Sequence, residues 1–323
     1  MPEDVMDAKA GPTADLAEAS HEDWLAQIED MGEERGYFEP VGARHSSILT
    51  DEGPILIVTF ETINSIRDGS DSHEPLGWEL VEHNGWSNLC IMAHEDSWFR
   101  DRAVYGYFDR LVDDGFFEDF DRVVFYGAGM CGYAAAAFSV VAPGATVIAV
   151  QPQATLDPRV TEWDRRFANM RRTSFTDRYG YGPDMVEAAD QVFVLYDPDQ
   201  TLDAMHAALF TRSNVTKLRC RHLGVDLEAD LWRMGVLPAM IESAGEGTLS
   251  AHEFHRAYRA RRSHLPYLRG LLAQLQSAER PRLVRMLGNS VVERMNAPRF
   301  RRARDQAEQQ LDLMTPNEGP PTL

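Results

Sequence analysis

The residues able to do chemistry in this chain fall in three short stretches. The first is "DRVVFYGAGMCGYAAAAFSVVAPGATVIAVQPQ", Asp121 to Gln153, where a glycine-rich turn carries a thiol, Cys131, into a run of small residues. The second is "LYDPD", with Asp197 and Asp199 flanking Pro198, and the third is "RCRHLG", with His222. A histidine oriented by a carboxylate can act as general base on water or on a substrate, contributing about 10² to 10⁴-fold. With a thiol in reach it would activate a nucleophile instead, because the thiolate is the attacking species. Each group also has an inert reading. Cys131 can be a small buried residue in place of glycine, and His222 a solvent-facing strand end. Asp197 and Asp199 can begin a turn and cap the helix expected at Thr201–Leu209.

These groups need a frame. Val123 to Tyr126 reads as a buried strand, Ala134–Ser139 as a helix of residues small enough to pack tightly on a sheet, and Thr146–Val150 as a second apolar strand. A sharp strand-to-helix turn holds a nucleophile on a strained backbone and demands small neighbours two positions either side of its tip. The best alignment is Gly127-Ala128-Gly129-Met130-Cys131, which puts Gly129 at the tip. Glycine tolerates positive φ there without a Cβ clash, but it brings no attacking atom. The N–H groups of Met130 and of the turn after Phe60 would form an oxyanion pocket.

Further strands are expected on either side of Gly42 between Tyr37 and Gly53, at Pro54–Glu61, at Asn88–Asp96, at Asp190–Asp199 and before His222, with helical crossovers between the later ones. At least five buried strands joined this way imply an α/β, doubly wound, mostly parallel sheet opened by an antiparallel pair.

The segment "YGAGMCGYAA" resembles the elbow of bacterial α/β hydrolases that read Tyr-Gly-Ser-Ser-Met-Gly-Gly-Tyr-Ala-Ala. It matches the Tyr, the first Gly, the Met and the closing Gly-Tyr-Ala-Ala. The attacking serine of that family corresponds to Gly129, and its second small residue to Cys131. The resemblance spans about residues 37–246. It implies that Asp197 (or Asp199) and His222 stand where the family keeps its acid and histidine, in the order elbow, Asp, His. The expected fold is α/β-hydrolase-like with a helical C-terminal extension. The expected function is that of a degenerate, ligand- or partner-binding pseudo-hydrolase. The alternative is an atypical hydrolase using a His222/Asp197 pair on water, or Cys131 as nucleophile. Gly127, Gly129 and Gly132 also fit G-x-G-x-x-G, a dinucleotide-binding spacing. That reading wants an acidic residue at the end of the next strand, which here ends in Gln151 and Gln153.

The bulk composition narrows the partners. A formal charge of −19 over 323 residues argues against nucleic acid and against anionic membranes. Nearly all the basic residues are arginines, the lysines being Lys9 and Lys217. Cys90, Cys131 and Cys220 have no CxxC spacing, which suggests a reducing, cytoplasmic setting with no disulfides. His94, Glu95 and Asp96 lack a second cluster, so neither a metal nor another cofactor is expected. They read as cleft-lining residues with Trp98 and Phe99 packed below.

No signal-peptide pattern and no run of 18 apolar residues is visible. The expected organisation is an acidic extension at 1–36, a hydrolase-like domain at 37–246, a helical segment at 247–311 and a disordered tail at 312–323. Within the extension, residues 1–20 read as disordered, and Trp24, Ile28 and Met31 mark a short amphipathic helix. The stretch 157–183 reads equally as a cap or as a solvated loop. Its Arg165, Arg166, Arg171 and Arg172 suggest an anionic ligand or a solvated basic patch. Leu268, Leu271, Leu272 and Leu275 share a helix face that could pack on the sheet domain or on a second subunit.

Overall fold

The computed structural model describes residues 13–69 and 72–314. The disorder expected of residues 1–12 and of the last nine residues lies outside them. Eight strands form one sheet: β1 (Gly36–Val41), β2 (His45–Thr50), β3 (Ile55–Thr62), β4 (Ser87–Ala93), β5 (Arg122–Ala128), β6 (Thr146–Val150), β7 (Gln191–Tyr196) and β8 (Val215–Arg219). Their spatial order is β1-β2-β4-β3-β5-β6-β7-β8. β1 and β2 form the expected hairpin around Gly42, whose φ of 70° suits a residue without a Cβ. β2 runs antiparallel to β4, and every later pairing is parallel. The mostly parallel, doubly wound sheet read from the apolar runs is therefore present.

The central strands are apolar on both faces because helices cover both. β3 and β4 are buried along almost their whole length. The helix Arg102–Asp113 lays Val104, Phe108 and Leu111 on one side, where Phe108 stacks on Phe138 of the helix Met130–Phe138 at 4.6 Å between ring centroids. Phe138 also stacks on Tyr179 at 4.4 Å. Each such ring withdraws enough apolar surface to stabilise the fold by about 2–3 kcal/mol. Tyr179, Phe175 and Met170 belong to the 157–183 stretch. That stretch is thus packed onto the core through short helical turns, not suspended as a loop.

On the other face, Trp24 and Ile28 of the helix His21–Arg35 bury with Ile48, Trp78 and Met92, and Met31 packs beside them. Ser20 caps this helix by accepting the Asp23 N–H. Leu16, on the short helix Thr13–Glu18, joins the same cluster. Residues 13–18 are therefore ordered: one leucine with a place to bury outweighs the polar composition around it.

The chain divides into two compact units, Met1–Ala257 and Tyr258–Leu323. The first holds all eight strands and ends in the helices Leu227–Arg233, Val236–Gly245 and Ala251–Ala257. The second is helical: Leu265–Ser277, Pro281–Val292 and Pro298–Met314 share a core of Leu268, Leu272, Val284, Val291 and Phe300. Among the described residues, no helix is long and apolar enough to cross a membrane.

Candidate functional site

The turn between β5 and its helix has its tip at Gly129, with φ 57° and ψ −119°. A side chain there would be strained, yet a Cβ built on Gly129 meets nothing within 4 Å. The glycines beside it are glycines for another reason. A Cβ on Gly127 would lie 2.3 Å from the Cys131 carbonyl oxygen, and one on Gly132 would lie 2.9 Å from the Val150 carbonyl oxygen. These contacts let the helix press onto β5 and β6. The Gly129 N–H donates to the Val150 carbonyl at 2.8 Å, which ties the tip to β6. Met130 begins the helix, so its N–H has no acceptor within the helix. Its sulfur accepts the N–H groups of Ser97 and Trp98 at 3.3 and 3.0 Å. Those contacts hold the loop after β4 against the elbow, with Trp98 and Phe99 both at positive φ (50° and 55°) and both buried.

The acid and the histidine sit on the loops that follow β7 and β8. Asp199 Oδ2 lies 2.8 Å from His222 Nδ1, with His222 only 13% exposed. Asp197, two residues earlier, is 1% exposed, and its carboxylate is occupied by backbone donors. It accepts the Asp199 N–H at 2.9 Å and the Gly224 N–H at 2.8 Å. Asp197 thus joins the two loops, and Asp199 is the residue that meets His222.

Chain position and strand order settle the architecture. An antiparallel first pair, a β4/β3 exchange, an elbow after β5, an acid after β7 and a histidine after β8 occur together. The fold is that of the α/β hydrolases.

No family model matches the sequence, and no curated protein matches it. Among solved structures the chain is similar to an esterase of Pyrobaculum calidifontis, with 14% identity and a TM-score of 0.42, over 72% of this chain and 95% of that one. It is similar to Est1E from Butyrivibrio proteoclasticus, with 15% identity and a TM-score of 0.40, over 64% and 97%. It is also similar to the capsule O-acetyltransferase of Neisseria meningitidis serogroup A, with 11% identity and a TM-score of 0.37, over 61% and 91%.

Beside the elbow of this hydrolase fold lies a cavity of about 480 Å³. The ends of β3 and β5, the helix Leu76–Asn84 and the helix Leu227–Arg233 enclose it, and Ala128, Met130 and Cys131 form its elbow side. Neither Asp199 nor His222 is among its lining residues. A larger hollow of about 730 Å³ sits at the opposite ends of β5 to β7, around Arg122, Thr146 and Gln191, away from every candidate group above.

Two carboxyl groups stand in the elbow-side cavity. Glu61 accepts hydrogen bonds from the Thr59 hydroxyl at 2.8 Å and the Leu76 N–H at 3.1 Å. Glu228 accepts the Tyr126 hydroxyl at 2.6 Å. Burial pushes both acids above the usual carboxylate range, outweighing these hydrogen bonds. Burial, with Glu228 and Glu61 adding to it, also drives the Cys131 thiol well above its ordinary value. That is the reverse of what a nucleophilic cysteine needs.

Polar clusters outside the cavity serve the frame. His206 is fully buried, accepts the Ala154 N–H at Nδ1 and meets Asp164 at Nε2, 3.0 Å away. Arg166 bridges Asp164 and Asp203 at 2.8 and 2.7 Å, so its charge is already matched by this chain's own carboxylates. Arg165, Arg171 and Arg172 are exposed. In the loop after β4, His94 meets the Ser46 hydroxyl, Glu95 pairs with Arg44, and Asp96 lines the cavity. Among the described residues, no group of three or more His, Cys, Asp or Glu side chains could hold a metal ion. Glu61, Tyr126 and Glu228 escaped the sequence reading. Tyr126 directly precedes the elbow glycine, and Glu61 is the lone charge in an apolar strand, but nothing around Glu228 marks it.

Proposed function

We propose that this chain is a ligand-binding pseudo-hydrolase. The observation that carries the reading is Gly129: the backbone conformation of an attacking residue is kept, the space for its side chain is open, and the attacking atom is absent. The elbow then serves as one wall of the neighbouring cavity, which lies in the size range of small-molecule sites. The thiol route has less support, because Cys131 is buried and held protonated. The dinucleotide route has less still. The Gly129 N–H is already bonded to Val150, and the loop after β6 carries no acid in the ribose position.

One observation favours a second reading. The 2.8 Å contact of His222 with Asp199 is the geometry of an oriented base, which could act on water.

A panel of short-chain activated acyl esters separates the two, with wild type compared against His222→Ala, Cys131→Ala and Gly129→Ser. The binding reading expects no turnover above buffer for wild type. Wild-type turnover that disappears in His222→Ala and survives in Cys131→Ala would replace it with base catalysis on water. Turnover that arises only in Gly129→Ser and requires His222 leaves the binding reading in place, and shows that the pair can reach the elbow.

A further inference from the structure

The elbow-side cavity has a chemical bias that goes beyond its shape. Tyr126 and Trp232 bring aromatic rings to its wall. The charged residues on its wall are all acidic: Glu61, Asp68, Glu74, Glu79, Asp96 and Glu228, with no lysine, arginine or histidine among the lining residues. Glu228 spends one oxygen on Tyr126 and forms no other hydrogen bond among the described residues. Cys131 is 6% exposed, lines the same cavity, and its thiol has no hydrogen-bond partner among the described residues. Arg35, outside the lining, favours the charged form of Glu74.

We propose that the cavity binds an organic cation, an ammonium group carried on an apolar body. The inference rests on the binding reading above and names its ligand class. An anion would face six acidic side chains, and the described lining residues include no basic one. Burial raises both Glu61 and Glu228, and a neutral ligand does nothing to favour their charged forms. A cation favours the ionised forms, and the aromatic wall adds cation–π attraction. Binding is then coupled to proton release. The titratable groups whose ionisation burial disfavours here are Glu61, Glu228, Tyr126, Cys131, Cys90 and Glu74; Asp68, Glu79 and Asp96 line the same wall, and Arg35 stands beside Glu74.

The test is isothermal titration of the full chain with three probes of one shape: phenylbutylamine, phenylbutanol and phenylbutyrate. The amine is expected to bind at least about tenfold more tightly than the alcohol, with butyrate weakest. Amine binding should tighten as pH rises above the usual carboxylate range, and its heat should differ between phosphate and Tris as protons leave the protein. Glu228→Gln should weaken the amine more than the alcohol and so remove most of the amine's advantage. Trp232→Leu, on a half-buried side chain, is a second variant and should weaken the amine more than the alcohol. Equal or tighter binding of alcohol or butyrate overturns the cation class and leaves the binding reading standing. An advantage untouched by both variants overturns the site. No binding by any probe at millimolar concentration overturns this proposal together with the binding reading of the cavity.

Discussion

Gly129 and Gly127 lie two residues apart in the same turn but are glycines for different physical reasons, and substitution separates them. At Gly129 the constraint is backbone conformation alone, so Gly129→Ala is expected to cost about 1–3 kcal/mol and leave the fold intact. At Gly127 the constraint is contact with the Cys131 carbonyl, a backbone atom that cannot swing away, so Gly127→Ala should cost more and displace the helix. Urea midpoints of the two variants decide this; equal losses would refute the distinction. His45 offers a second test at this scale. It is fully buried, with Nε2 2.7 Å from the Ser97 hydroxyl and no partner at Nδ1 among the described residues. Burial lowers its pKa from 6.5 to about 4. The unfolded chain therefore takes up this proton first. The stability His45 confers by staying neutral is complete above about 6.5 and is lost as pH falls towards about 4. That loss amounts to about 3 kcal/mol. Unfolding free energies across that window should fall less steeply for His45→Gln than for wild type, and parallel curves would contradict the assignment.

The elements that frame the site depend on a few side chains reaching between segments, and Arg100 shows this most clearly. Its side chain is 1% exposed and ion-paired with Asp177. It donates to the carbonyls of Ser174 and Arg178 at 3.0 and 2.6 Å, and lies over the rings of Tyr105 and Phe175. Arg100→Met would remove these bonds at a cost of about 1–3 kcal/mol. Hydrogen exchange should then quicken across 165–180 while β3 to β6 stay protected; uniform acceleration would mean that the segment and the sheet unfold as one. This packing also marks what the sequence could and could not reveal. The strands were legible because helices cover both faces and leave unbroken apolar runs. The elbow was legible because close backbone contacts fix where glycine must fall. The cavity was not: its Tyr126–Glu228 bond joins residues 102 apart, on a strand end and a helix with no shared pattern. The choice between Asp197 and Asp199 was hidden as well. Both are carboxylates beside one proline, and only the path of the backbone toward Gly224 decides which meets His222.

Charge is distributed unevenly along the whole molecule. Residues 258–323 hold twelve arginines against six carboxylates, a net of +6, which leaves −25 on residues 1–257 from the total of −19. Like charge at that density opposes compaction, so the sheet unit relies on its apolar clusters to stay folded. Those clusters, the elbow and the cavity all lie within Met1–Ala257, and all eight strands pair there. A chain ending at Ala257 should therefore fold, with a melting temperature within a few degrees of the full chain's sheet transition. The 66 residues beyond it have a small core of leucine, valine, alanine and phenylalanine side chains. A core of that size supports about 3–5 kcal/mol at most, so the isolated helical unit should unfold first and over a broad range. Salt distinguishes the two further. Added sodium chloride screens the self-repulsion of the −25 unit and should raise the truncated chain's melting temperature, with most of the gain reached by about 0.2 M, where the Debye length falls below about 8 Å. A truncated chain that aggregates at every salt concentration, or melts far below the intact protein, would show that the sheet unit needs the helical one.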